Sequence, residues 1–133
     1  MKQTTLLEKY PVFELELDKA ETTYRTAQEV IDALKASIEA HPLVSFIGEF
    51  DHYSHTRNLP AGEIAPEIKD ARLVVFCFGV KLPNPHVLAV RPRSIGVADM
   101  GDRFVINFLE PPMPVATEAM EGWVKALRNV RRG

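Results

Sequence analysis

Leu73-Val74-Val75-Phe76-Cys77-Phe78-Gly79-Val80 is the longest apolar run in the chain, and the architecture must be built around it. It is far shorter than the ~18 apolar residues a membrane span requires. Apolar residues fill both alternating sets, so a strand here would have two dry faces. Such a strand is central, and is covered on both sides by helices or by a partner. Cys77 is then expected to be a buried, inert thiol, since burial in apolar surroundings raises a thiol's pKa.

Toward the N-terminus, Val44 to Asp51 reads as a neighbouring strand, with Val44, Phe46 and Phe50 on one face and Ile47 and Glu49 on the other. Before it, Thr26-Ala27-Gln28-Glu29 has the form of a capping box, and Ala27, Val30, Ile31, Leu34 and Ile38 recur at helical spacing. Pro42 disfavours helical geometry in the residue before it, so this helix should stop near Ala40. Phe13-Glu14-Leu15-Glu16-Leu17-Asp18 alternates apolar and acidic residues, the period of a strand with one wet face.

Toward the C-terminus, Pro83, Pro85 and Pro92 break up an irregular stretch. Ser94 to Ala98 and Arg103 to Leu109 then flank Asp99-Met100-Gly101-Asp102, which predicts a β-hairpin with Gly101 supplying positive φ. Ala116, Ala119, Met120, Trp123, Val124, Leu127 and Val130 form a second helical stripe. Lys125, Arg128, Arg131 and Arg132 gather at its end, where cations meet the helix dipole favourably.

The order is β-α-β-β-β-β-α, which predicts an α+β fold: a mainly antiparallel five-stranded sheet with two helices on one face. This is the TATA-binding-protein-like, or helix-grip, arrangement, and topology of this kind carries no function with it. The 133 residues fit one domain, 1–133. Sixteen Lys plus Arg against 18 Asp plus Glu leave a net charge of −2, which argues against a dedicated nucleic-acid binder. One cysteine excludes a disulfide framework and a Cys-rich zinc site. Neither a signal peptide nor a membrane span is visible, so a soluble cytoplasmic protein with no membrane partner is expected.

Three groups of residues could carry chemistry. Asp51, His52 and His55 bring carboxylate and imidazole together, the ligand types for zinc, nickel or iron and for acid–base work near neutral pH. A helical turn would put the two histidines on one face, with Glu49 or His86 assisting if the fold brings either close. The plainer alternative is a polar loop with solvated histidines. Arg91 and Arg93, two apart on an extended segment, share a face and could hold a carboxylate or phosphate. Pairing with Glu14 and Glu16, or simple solvation, is the alternative. Phe104, Ile106 and Phe108, together with Met113, Met120 and Trp123, either line a ligand groove under the last helix or fill the core. No Gly-rich phosphate loop and no Gly-x-Ser-x-Gly elbow exists in the sequence.

The helix Ala27-Gln28-Glu29-Val30-Ile31-Asp32-Ala33-Leu34 and the strand Phe46-Ile47-Gly48-Glu49-Phe50-Asp51-His52 are the first two pieces of a wider pattern. They are followed by the central strand through Phe78-Gly79-Val80 and the run Ile106-Asn107-Phe108-Leu109-Glu110-Pro111. From Thr26 to Pro112 the chain resembles the family called domain of unknown function 302. It departs from that family at Gly79-Val80-Lys81, where Gly-Asn-Pro is typical, after His52, and from Pro83 onward. The resemblance implies a small helix-grip α+β domain of bacterial type that is often dimeric and has no assigned biochemical role.

Together these features lead to the expectation of an uncharacterised, non-enzymatic homodimer binding a small apolar or amphipathic molecule, with no cofactor. The alternatives are a divalent-metal or acid–base enzyme centred on Asp51, His52 and His55, and a protein–protein interaction module.

Overall fold

The computed structural model describes residues 1–131. Thr26 and Glu29 cap the first long helix, α1 (Ala27–Ala40), reciprocally. The Thr26 hydroxyl accepts from the Glu29 amide at 3.1 Å, and the Glu29 carboxylate accepts from the Thr26 amide at 3.1 Å. Two of the four amides a helix start leaves unpaired or exposed are thereby satisfied. The stripe Ala27, Val30, Ile31, Leu34 and Ile38 is wholly buried.

That stripe lies on a six-stranded antiparallel sheet. Its strands are β1 (Lys2–Leu6), β2 (Tyr10–Asp18), β3 (Val44–Asp51), β4 (Asp70–Phe78), β5 (Arg93–Asp99) and β6 (Arg103–Leu109), in the spatial order β1-β2-β6-β5-β4-β3. The last four form a meander, and α1 carries the chain beneath the sheet from β2 on one side to β3 on the other. A short helix, α2 (His52–Arg57), leaves the end of β3, and α3 (Pro114–Lys125) lies beside α1.

The α+β class and the sequential order of elements agree with the expectation, but there are six strands rather than five. Every residue of β1 is exposed, so the additional strand has no dry face to produce a periodic signal. Backbone pairing places it, from Lys2 opposite Glu14 to Leu6 opposite Tyr10.

Leu15, Leu17, Val74, Phe76, Ile95, Val97, Phe104 and Ile106 point from the sheet toward the helices and, with Met120 and Val124 of α3, form one core. Trp123 closes its edge, stacked on Phe78 at 5.8 Å and edge-on to Phe76 at 5.4 Å. Leu127 stays buried past the end of α3, whereas Val130, expected on the same stripe, is exposed because the helix ends at Lys125. Within the expected basic cluster, Lys125 pairs with Glu121 and Arg128 with Glu21, and Arg132 lies outside the described residues.

A bulge in β3 changes which residues share a face. Phe46 pairs with Phe76 and Gly48 with the next residue back, Val75, leaving Ile47 as the extra residue. Parity flips there. Val44 and Phe46 look toward the helices, but Phe50 pairs with Leu73 on the other face and does not share a face with them as expected. Glu49 and Asp51 are turned to the helix side.

β4 is not the central strand expected: it lies second from the β3 edge, and the long helices α1 and α3 cover only one of its faces. On the other face Leu73, Val75 and Cys77 are half-buried, beside Gly96, Ala98 and Val105 of β5 and β6, and the short α2 reaches β4 there, with His52 bordering the hollow around Ala71 and Leu73. Cys77 is therefore not in the core. It opposes Ser45 on the open face, and its thiol donates to the Phe78 carbonyl at 2.8 Å.

Candidate functional site

Asp51 is the N-cap of α2. Its carboxylate accepts from the Ser54 amide at 3.0 Å and from the Ser54 hydroxyl at 2.8 Å. Arg72 stands 3.5 Å away and is itself held by Asp70 at 2.8 Å and by the Gln28 side chain at 2.8 Å. The two Ser54 bonds, helped by the Arg72 charge, hold the Asp51 carboxyl below the ordinary carboxylate range. The Asp70 partnership likewise favours the charged form of Arg72. Asp51 thus spends its lone pairs on the chain's own groups.

His52 and His55 do come together, as a helical turn requires. Their rings are 6.0 Å apart and near perpendicular, and Phe50 touches both at 5.4 and 5.3 Å. His52 Nδ1 is hydrogen-bonded to the Thr56 hydroxyl at 2.9 Å. The proposed helpers do not join them. Glu49 faces α1 and accepts from Gln28 at 3.3 Å. His86 sits in the 3-10 turn Pro85–Val90, after the opposite end of β4. Among the described residues, no group of three or more His, Cys, Asp or Glu side chains is placed to hold a metal ion. A cleft of about 260 Å³ opens beside α2, between His52, Tyr53 and Thr56 and the segment carrying Glu63, Ile64 and Ile68.

The six residues of the candidate groove are divided. Phe104, Ile106, Phe108 and Met120 are buried in the core, and Trp123 is half-buried against Phe78. Met113 alone is well exposed, at 37%. It borders a cavity of about 70 Å³ at the end of the sheet, whose other walls include Phe78, Val87, Val90, Arg91 and Arg93.

Arg91 and Arg93 therefore meet, on the rim of an apolar hollow. Arg91 donates to the Lys81 carbonyl at 2.9 Å, and Arg93 to the Leu109 and Val90 carbonyls at 2.7 and 3.3 Å. Glu14 and Glu16 do not partner them. Glu14 accepts from Asn107 at 3.3 Å and Glu16 lies 3.9 Å from Arg103. Burial of Arg93 disfavours its charged form and lowers its pKa. Nothing in the local sequence marks Phe78, Val87 and Val90 as cavity walls. The available signal was for the turn itself, Asn84-Pro85, where the Asn84 side chain accepts from the His86 amide at 2.9 Å and starts the turn.

Residues 1–129 match a family described as a family of unknown function, DUF6858. The chain belongs to that family. No curated protein matches it. Among solved structures it is similar to an uncharacterized conserved protein, DUF302, from Bacillus stearothermophilus. That similarity has a TM-score of 0.57 over 89% of this chain and 95% of the other. At 12% identity the likeness shows a shared fold, and the expected DUF302-like architecture is present. No helix among the described residues is long and apolar enough to cross a membrane.

Proposed function

We propose that the protein is a small, non-enzymatic cytoplasmic binding domain that works as a homodimer and holds a small apolar or amphipathic molecule. The observation that carries this reading is the sheet face that the long helices α1 and α3 leave open, with Leu73, Val75 and Val105 half-exposed on it. Six strands about 4.8 Å apart, each about seven residues long, present roughly 700 Å², close to the ~800 Å² per partner of a standard interface. A hollow of about 210 Å³ floored by the small residues Ala71, Gly96 and Ala98 gives this face relief into which a second copy's side chains can pack. A half-exposed free thiol near the β3 edge of this face suits a reducing compartment.

The acid–base alternative draws less support, because the Asp51 carboxylate is engaged as a helix cap and Glu49 and His86 stand apart. Light scattering after size exclusion tests the dimer. The wild type should have twice the chain mass at micromolar concentration, and Val75→Glu should have one chain mass with an unchanged circular dichroism spectrum. A wild-type monomer under those conditions overturns the dimer.

A further inference from the structure

We propose that the cavity between the turn Pro85–Val90 and Met113 is a binding site for a short-chain aliphatic carboxylate. Arg91 and Arg93 would hold the carboxylate, and Phe78, Val87, Val90 and Met113 the hydrocarbon. The assignment rests on the reading of the protein as a binding domain for a small amphipathic molecule, and narrows it.

The charge of this corner points to an anion. Among the described residues Arg91 and Arg93, like Arg25, Arg57 and Arg131, have no carboxylate within 4.0 Å, but Arg91 and Arg93 share the walls of one cavity. A guanidinium carries five N–H donors. Arg93 commits two of its donors to backbone carbonyls and Arg91 commits one, so both retain donors. Two cations on the wall of one apolar hollow repel each other, and a shared carboxylate converts that cost into charge-assisted hydrogen bonds. Arg93 stays a cation at neutral pH even though burial lowers its pKa, because arginine starts so far above 7.

Volume sets the size of the guest. One water needs ~10–15 Å³ by this measure, so about 70 Å³ admits roughly five to seven heavy atoms. Sites for drug-sized ligands run to ~300–1,000 Å³, so a nucleotide or long-chain fatty acid would not fit. The remaining walls are side chains with no hydrogen-bonding groups, which favours a carboxylate with a short alkyl chain over a fully hydrated anion such as phosphate.

The test is calorimetric titration of the full chain with butyrate, its neutral isostere butyramide, and inorganic phosphate. Butyrate should bind at least about tenfold more tightly than either. Arg93→Met, which keeps an apolar stem, should abolish that preference while leaving butyramide binding within about twofold. Arg93 also anchors the Leu109 carbonyl. Arg91→Met and Met113→Trp therefore serve as second variants, the first reducing the preference and the second closing the cavity to both organic ligands. Equal binding of butyrate and butyramide overturns the carboxylate assignment and leaves the binding-domain reading standing. Equal binding of phosphate also overturns it. No binding of either organic ligand overturns the assignment and removes the support this cavity gives to that reading.

Discussion

Phe78 lies flat against Trp123, with ring centroids 5.8 Å apart and planes 12° from parallel. The pair joins the end of β4 to the last helix, and Phe78 also forms one wall of the cavity beside Arg91 and Arg93. Two further rings meet Trp123 edge-on, Phe76 at 5.4 Å and His41 at 6.0 Å. One aromatic cluster therefore ties α3 to β4 and to the residue that ends α1.

Trp123→Ala should destabilise the fold by about 3 kcal/mol, the low end for removal of a large aromatic because Trp123 is half-buried. Urea denaturation followed by circular dichroism measures this. A loss below about 1 kcal/mol would show that the stack is not part of the stabilising core.

Asp51 gives a pH dependence whose sign follows from its lowered pKa. Its contribution is fully present above the unfolded value of about 3.9 and is lost as pH falls through the lower folded value. Wild type should therefore be more stable than Asp51→Ala at pH 6, with the gap closing below pH 4. Thermal melts across that range check it, and a gap independent of pH would refute the ionised cap.

Leu7 and Glu8, in the turn between β1 and β2, have φ of 52° and 59°, a region that favours Gly and Asn over branched or bulky side chains. Leu7→Asn should stabilise the protein by about 0.5–1 kcal/mol, and it also removes a leucine left 75% exposed. An unchanged or lower urea midpoint would contradict the left-handed geometry.

The parts of this molecule legible in its sequence are those governed by neighbours along the chain. Thr26 and Glu29 announce α1 because their capping bonds close within three residues, and Gly101, with φ of 96°, announces the β5–β6 turn for the same local reason. The face occupied by Phe50 was not legible, because the Ile47 bulge depends on pairing with β4 rather than on any residue beside it. β1 was missed because an edge strand exposed on both sides has no hydrophobic period.

The candidate site divides along the same line. Asp51 attracted a reading as a metal or proton ligand, yet a carboxylate three residues before a serine amide, at the start of a helical turn, is equally a cap, and Ser54 takes it. Arg91 and Arg93 could be paired from their i, i+2 spacing. Their apolar surroundings could not, since Phe78 and Met113 reach the cavity from distant parts of the chain.

The pairing of β2 with β6 joins Val12 to Leu109 and Asp18 to Arg103. The contacts that seat Leu15 and Leu17 against Phe104 and Ile106 thus span most of the chain's length. During synthesis, the meander from β3 to β6 can assemble from neighbouring segments, while β2 must wait for a partner made some ninety residues later. Until β6 leaves the ribosome, the alternating apolar residues of β2 have no place in the sheet.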